Sequence, residues 1–226
     1  MAFTPALLNT DDITGCVLAG GRGTRMGGVD KGLALFMGQP LAVHALRRLA
    51  PQVARLMINA NRHPQEYARL GADFAAPVWP DAEPGYPGPL AGFLSALAHC
   101  DTPWLACVPC DTPLFPADLV QRMGQTALAV APQAEIVIAH GLQTMQPPHE
   151  PVLRAQPVFC LLHRSTRDSL LDFVRSGGRK IDAWTAQHRC ASACFDRDGD
   201  SPLAFANANT TEELLALEQA CALGAR

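Results

Sequence analysis

The stretch Leu18-Ala19-Gly20-Gly21-Arg22-Gly23-Thr24-Arg25-Met26-Gly27-Gly28-Val29-Asp30-Lys31-Gly32 limits the folds open to this chain, because it packs six glycines and three cations between an apolar strand and a helix. The run Cys16-Val17-Leu18-Ala19 reads as the end of a buried strand. Glycines let the backbone that follows take positive φ angles and turn its amides toward an anion, and Arg22, Arg25 and Lys31 supply the balancing charge. A triphosphate is the ligand such a loop suits. Two familiar phosphate loops fail on spacing. A dinucleotide fingerprint needs a third glycine where this chain has Met26, and a Walker A loop needs Ser or Thr after the lysine, where this chain has Gly32.

Apolar runs rich in branched residues alternate with segments of helical period, the pattern of strands joined by crossover helices. Strands are expected near 13–19, 54–59, 73–79, 103–108 and 135–139. Leu41, Ala45, Leu46 and Leu49 fit one helix face, as do Leu90, Phe93, Leu94, Leu97 and Ala98. Val158 to Leu162 is an apolar run of ambiguous type, and Gln146-Pro147-Pro148-His149 reads as an exposed loop. A helix over Thr166 to Val174 should end at Ser176-Gly177-Gly178. Thr210-Thr211-Glu212-Glu213 is a capping-box pattern opening a last helix with Leu214, Leu217 and Cys221 on its apolar face. The expected architecture is α/β: one Rossmann-like domain over 1–226 with a mainly parallel central sheet flanked by helices, its nucleotide-binding part about 13–125 and its acceptor-side part about 126–226.

Further blocks follow in order: Asn59-Ala60-Asn61-Arg62-His63, Tyr86-Pro87-Gly88-Pro89-Leu90-Ala91-Gly92, Pro109-Cys110-Asp111-Thr112-Pro113 and Phe205-Ala206-Asn207-Ala208-Asn209-Thr210. With LAGG and RMGGVDKG they resemble the molybdenum cofactor guanylyltransferase family, which has the GT-A-like nucleotidyltransferase fold; sugar-nucleotide and cytidylyl relatives usually carry Pro-Lys where this chain has Asp30-Lys31. The resemblance implies transfer of GMP from GTP to the terminal phosphate of molybdenum-molybdopterin, with Mg2+ as cofactor and pyrophosphate as product. It associates the positions of Leu18, Ala19, Gly20, Gly21, Lys31, Asn59, Asp81, Gly88 and Asp111 with the nucleotide, and those of Asn207 and Asn209 with the acceptor phosphate. Arg25, Lys31 and Asp111 are the expected catalytic residues, and Asp111 with Asn207 the expected metal ligands. A related CTP-dependent or sugar-phosphate nucleotidyltransferase, and a non-catalytic molybdopterin carrier, are the competing functions.

Local chemistry is compatible with these roles and leaves alternatives open. Asp111 follows a buried strand, where open α/β sheets place ligands, and reads either as a metal ligand or as the cap of the turn Asp111-Thr112-Pro113. If Phe205 to Asn209 is extended, Asn207 and Asn209 share one face; Asn209 equally reads as a strand terminator. Asn59 suits base or ribose recognition or a simple turn. Gly88 suits ligand approach or a loop. Asp81 has a rival in Glu83. Arg22 points inward or to solvent, and Asp30 either orients Lys31 by an ion pair or solvates the turn. Glu150, Arg154 and Arg179 are pterin contacts or ordinary surface charges.

A net charge of −3 and a pI near 6.1 exclude a general attraction to nucleic acid or anionic membrane. No run of about 18 apolar residues is long enough to span a bilayer. A cytoplasmic monomer is expected, with transient contact with molybdopterin-loading proteins and molybdoenzymes. The eight cysteines are expected to be thiols, Cys107 and Cys110 packed as small hydrophobes; a zinc site shared with Cys190 and Cys194 is the alternative. The histidines lack H-x-x-x-H spacing and form no recognisable triad with a serine. None is needed, because a phosphate monoester with a second pKa of about 6 is already largely a dianionic nucleophile at neutral pH.

Overall fold

The computed structural model describes residues 8–19, 30–81, 88–143 and 152–224. Strand β1 (Ile13–Leu18) is followed by a small hairpin of β2 (Leu35–Phe36) and β3 (Gln39–Pro40), then by α1 (Leu41–Leu49), β4 (Arg55–Asn59), α2 (Pro64–Gly71) and β5 (Val78–Trp79). Helix α3 (Pro89–Ala98) leads to β6 (Trp104–Pro109) and α4 (Leu119–Ala129). The remainder is β7 (Ile136–Gln143), β8 (Val152–His163), α5 (Arg167–Arg175), α6 (Ile181–Thr185), β9 (Cys190–Phe195) and α7 (Thr211–Gly224).

Among the described residues seven strands form one sheet in the order β5-β4-β1-β6-β8-β7-β9. Every pairing is parallel except the two made by β8, which runs against β6 and β7. Successive residues of a central strand face opposite sides, so both sides must be apolar. Val17, Ala106 and Val108 enter the core beneath α1, α2 and α4, whereas Cys16, Leu105 and Cys107 face α3, α5 and α6. Leu41, Ala45, Leu46 and Leu49 are fully buried, as their spacing predicts. On α3, Leu90, Phe93, Leu94 and Leu97 are buried but Ala98, at the helix end, is exposed.

Cys16, Cys107 and Cys160 are register partners across β1, β6 and β8 and are wholly buried, which accounts for Cys107 as a packing residue. Burial raises the Cys107 and Cys110 thiols well above their ordinary range, so neither is a ready thiolate. A zinc site shared with Cys190 and Cys194 is ruled out by the sheet. Two strands separate β6 from β9, and strands lie about 4.8 Å apart, which puts the pairs roughly 14 Å from each other.

Three expectations change. Residues 72–74 form a 3-10 turn ending in Ala75 at φ +49, so the strand expected over 73–79 shrinks to Val78–Trp79. The cause is local: Ala76 N–H bonds back to Gly71 O at 3.0 Å and closes the end of α2 before the chain can extend. The run Val158 to Leu162 is strand, and β7 continues to Gln143. Phe205 lies at the end of a turn rather than in an extended run. Its ring is held edge-on by Phe159 and Phe195, and Ala206 N–H bonds back to Leu203 O. The expected loop at Gln146–His149 lies outside the described residues.

Candidate active site

From β1 the chain turns to β4 and β5 on one side, then returns through α3 to β6 on the other side. The carboxyl ends of β1 and β6 are therefore the switch point of this sheet, the place where open α/β sheets bind ligands. Leu18 and Ala19 lie at one lip and Pro109, Cys110 and Asp111 at the other, tied by Cys110 N–H to Leu18 O at 3.1 Å. Ala19 N–H bonds to Asn59 O at 2.8 Å, which adds the end of β4 to the same crevice.

Lys31 reaches this crevice from a 3-10 turn over Lys31–Leu33. Its ammonium donates to Asp111 Oδ2 at 3.2 Å and to Asn209 Oδ1 at 2.6 Å. The segments that meet are thus 80 and 178 residues apart in sequence. Asn209 is set from both sides. Ala208 N–H bonds to Asp111 O at 3.0 Å, and Asn209 N–H donates to Glu213 Oε2 at 2.6 Å while Glu213 N–H donates to Thr210 Oγ1 at 3.1 Å. The capping box read from sequence is present with one change: the glutamate reaches the residue before the cap, so the start of α7 also fixes a site residue. Asn207 is exposed and lies apart from this contact.

A second group sits at the end of β4. Asn59 Nδ2 donates to Asp81 Oδ1 at 3.0 Å and to Trp79 O at 3.2 Å, and Asn61 Nδ2 donates to Asp81 Oδ2 at 2.7 Å. Asp81 is thus joined to Asn59, and its rival Glu83 lies outside the described residues. Gly88 takes φ +113 immediately before α3, a conformation that favours glycine. Sequence reading missed Gly92, whose role needed the fold. A Cβ there would lie 2.6 Å from Asn59 Oδ1 and 2.9 Å from Leu18 Cδ2. We expect Gly92→Ala to push Asn59 aside and raise the nucleotide KM about tenfold with little change in kcat, as steady-state kinetics would register.

The remaining calls divide. Gly20, Gly21, Arg22 and Arg25 lie outside the described residues, as does Glu150. Arg154 and Arg179 are exposed. Asp30 makes neither of its expected contacts: it is buried, and its carboxylate accepts from Gly32 N–H and the Tyr67 hydroxyl. One histidine does meet a serine and a carboxylate. Ser169 Oγ is 2.9 Å from His188 Nε2, and His188 Nδ1 is 3.7 Å from Glu135 Oε2. This group braces the amino end of β7, opposite the crevice.

A MobA-like NTP transferase domain matches residues 15–192, which include Lys31 and Asp111 and stop short of Asn209. The molybdenum cofactor guanylyltransferase of Acidovorax sp. strain JS42 is 54% identical over 94% of this chain and 98% of its own length. The chain belongs to the molybdenum cofactor guanylyltransferase family. A second member, from Bordetella petrii, is 52% identical over 92% of this chain and 98% of its own length. Among solved structures, molybdopterin-guanine dinucleotide biosynthesis protein A from Archaeoglobus fulgidus superposes with a TM-score of 0.72 at 19% identity, covering 93% of this chain and 99% of that one. The 4-diphosphocytidyl-2C-methyl-D-erythritolsynthase of Anaerococcus prevotii does so at 0.69 and 7% identity, covering 94% and 97%. These two report the fold alone. Membership of the guanylyltransferase family makes the chain a nucleotidyltransferase and implies a divalent metal. The donors present fit one. Asp111 Oδ2 is taken by Lys31, while among the described residues its Oδ1 is met by the Thr112 hydroxyl at 3.4 Å, which suits it to serve as a hard oxygen ligand. No helix among the described residues is long and apolar enough to cross a membrane.

Proposed function

We propose that this chain transfers GMP from GTP to the terminal phosphate of molybdenum-molybdopterin, giving the guanine dinucleotide cofactor and pyrophosphate. The observation that carries the reading is the meeting of Lys31, Asp111 and Asn209 at the sheet switch point. One cation, one carboxylate and one carboxamide oxygen suit a reaction in which charge moves between phosphates and no carbon bond is made. Lys31, with Arg25, counters the triphosphate and the charge that grows on departing pyrophosphate. The Leu18, Ala19, Gly20 and Gly21 backbone cradles the nucleotide, and Asn59, Asp81 and Gly88 border its nucleoside end. Asp81 offers a carboxylate to the N–H donors of a guanine edge.

Asp111 would hold the cation, Mg2+, and Asn207, exposed outside the Lys31 contact, would add a further oxygen ligand; when bound, the ion would neutralise phosphate charge. Asn207 and Asn209 orient the acceptor phosphate, whose dianion attacks without a dedicated base. Positioning and charge neutralisation supply the catalysis. The protein acts as a single unit and a cytoplasmic monomer, in transient contact with molybdopterin-loading proteins and molybdoenzymes.

The test is pyrophosphate release from purified protein with molybdopterin, molybdate and magnesium, comparing GTP with CTP, ATP and UTP. GTP-selective release that requires molybdopterin is the expected result. Selective use of CTP would overturn the product, and retention of molybdopterin with no release would make the protein a carrier.

A further inference from the structure

Lysine is scarce in this chain: beside sixteen arginines there are two lysines, Lys31 and Lys180. At Lys31 the choice has a physical reason. A compact ammonium with three donors fits between Asp111 Oδ2 and Asn209 Oδ1, whereas a planar guanidinium presents a wider fork.

What fixes Lys31 is found on either side of it. Asp30 caps the turn, accepting from Gly32 N–H at 3.2 Å, and the same Oδ1 accepts from the Tyr67 hydroxyl at 2.5 Å. A Cβ on Gly32 would run into that hydroxyl and lie 3.1 Å from ring atoms Cε1 and Cζ. Tyr67, wholly buried on α2, thus touches both neighbours of Lys31. Burial above all raises its hydroxyl beyond the ordinary range, so it remains a donor.

Capping alone does not explain the charge at position 30. Asparagine or serine caps a turn about as well, without the desolvation of a buried carboxylate. The Asp30 side chain is 3% exposed, its Oδ2 has no hydrogen bond among the described residues, and Arg62 Nη2 stands 3.7 Å away. Two attachments and a cation therefore hold this carboxylate in one place, and the backbone of the next residue with it.

We propose that Asp30 and Tyr67 form a clamp that positions Lys31 on Asp111 and Asn209. The pair touches no reacting atom; its consequence for turnover rests on the transferase reading above.

The presence of only two lysines makes the test direct. Folded wild-type protein and Tyr67→Phe are treated briefly with an amine-reactive reagent, and labelling of Lys31 is measured by peptide mass spectrometry relative to exposed Lys180. With Lys31 released from its two acceptors, the ratio is expected to rise severalfold in Tyr67→Phe while the melting curve shows a folded protein. In the same variant kcat is expected to fall about tenfold with the nucleotide KM within about twofold, as for a displaced transition-state contact. Asp30→Ala removes both attachments while keeping the tyrosine ring, and supplies the same comparison if Tyr67→Phe does not fold.

An unchanged labelling ratio in a folded variant overturns the clamp, and a raised ratio with unchanged kcat in an active enzyme keeps the clamp but overturns its consequence for turnover. A wild-type protein that releases no pyrophosphate removes the transferase reading instead, and the labelling ratio still decides the geometry.

Discussion

Replacing Asp111 by Asn should lower kcat/KM for pyrophosphate release about 1,000-fold, a loss of about 4 kcal/mol of transition-state stabilisation. The substitution is nearly isosteric, so folding should survive, as circular dichroism and the melting curve would check. What disappears is charge in two places. The ammonium of Lys31 loses the anion 3.2 Å away, and the oxygen that faces Thr112 becomes a weak neutral donor toward a divalent cation. Raising the magnesium concentration should recover part of the loss by mass action. Turnover within about threefold of wild type would show that Asp111 merely caps its turn, where Asn serves as well.

Removing Asp200 should produce the largest loss of stability. Its carboxylate receives a bidentate pair from Arg122, Nη1 to Oδ1 at 2.7 Å and Nη2 to Oδ2 at 3.0 Å, and also the Arg197 N–H at 2.9 Å. The Arg122 side chain is 6% exposed, its guanidinium lies 4.0 Å from the centre of the Phe195 ring, and Nη2 also bonds to Cys194 O. Asp200→Ala leaves that cation on α4 with the longer contact to the half-exposed Asp118 carboxylate at 3.8 Å, and breaking in this way a pair whose arginine is buried costs about 3 kcal/mol. For a domain of this size the melting temperature should drop roughly 10 °C.

The pH dependence gives a second reading. The Arg122 hydrogen bonds hold the Asp200 carboxyl below its ordinary range, against the opposing effect of desolvation, with the Arg197 amide adding to the depression. A folded pKa below the unfolded one contributes stability that is complete above about pH 4 and is lost as pH falls through the folded value. The difference in melting temperature between wild type and Asp200→Ala should therefore be full at pH 7 and shrink on acidification below about pH 4. A difference that stays constant to the acid limit would show that the pair contributes nothing as ions.

Much of the site was legible because it depends on short-range chemistry. The end of β1, the aspartate after β6 and the capping residues before α7 each announce themselves within a few positions, since strand ends, turns and caps are decided by neighbouring backbone. Burial on both faces also leaves its mark, for a strand covered by helices on each side must be apolar throughout, and β1, β4 and β6 were found for that reason. Strand β8 was less clear because its outer half is exposed and its apolar half has no helical or alternating period.

Other features exist only after folding. Nothing near Gly92 tells of Asn59, and nothing near Tyr67 tells of Asp30; the first pair joins α3 to the end of β4 and the second joins α2 to the turn at Lys31, contacts that the sheet order creates. The same holds for Arg122, which reads as a surface cation on a helix until β9 and Asp200 close over it. Asp30 shows the difference most sharply. By sequence it is a polar residue in a glycine-rich turn, for which solvent is the ordinary partner, and only the packing of α2 against Gly32 makes it a buried carboxylate. Local patterns in the chain were enough for the class of fold and the family, and they named the candidate residues for phosphate chemistry. The tertiary structure decided which of them meet, because a side chain's partner is set by the crossing of elements 80 or 178 residues apart, and no local pattern encodes that distance.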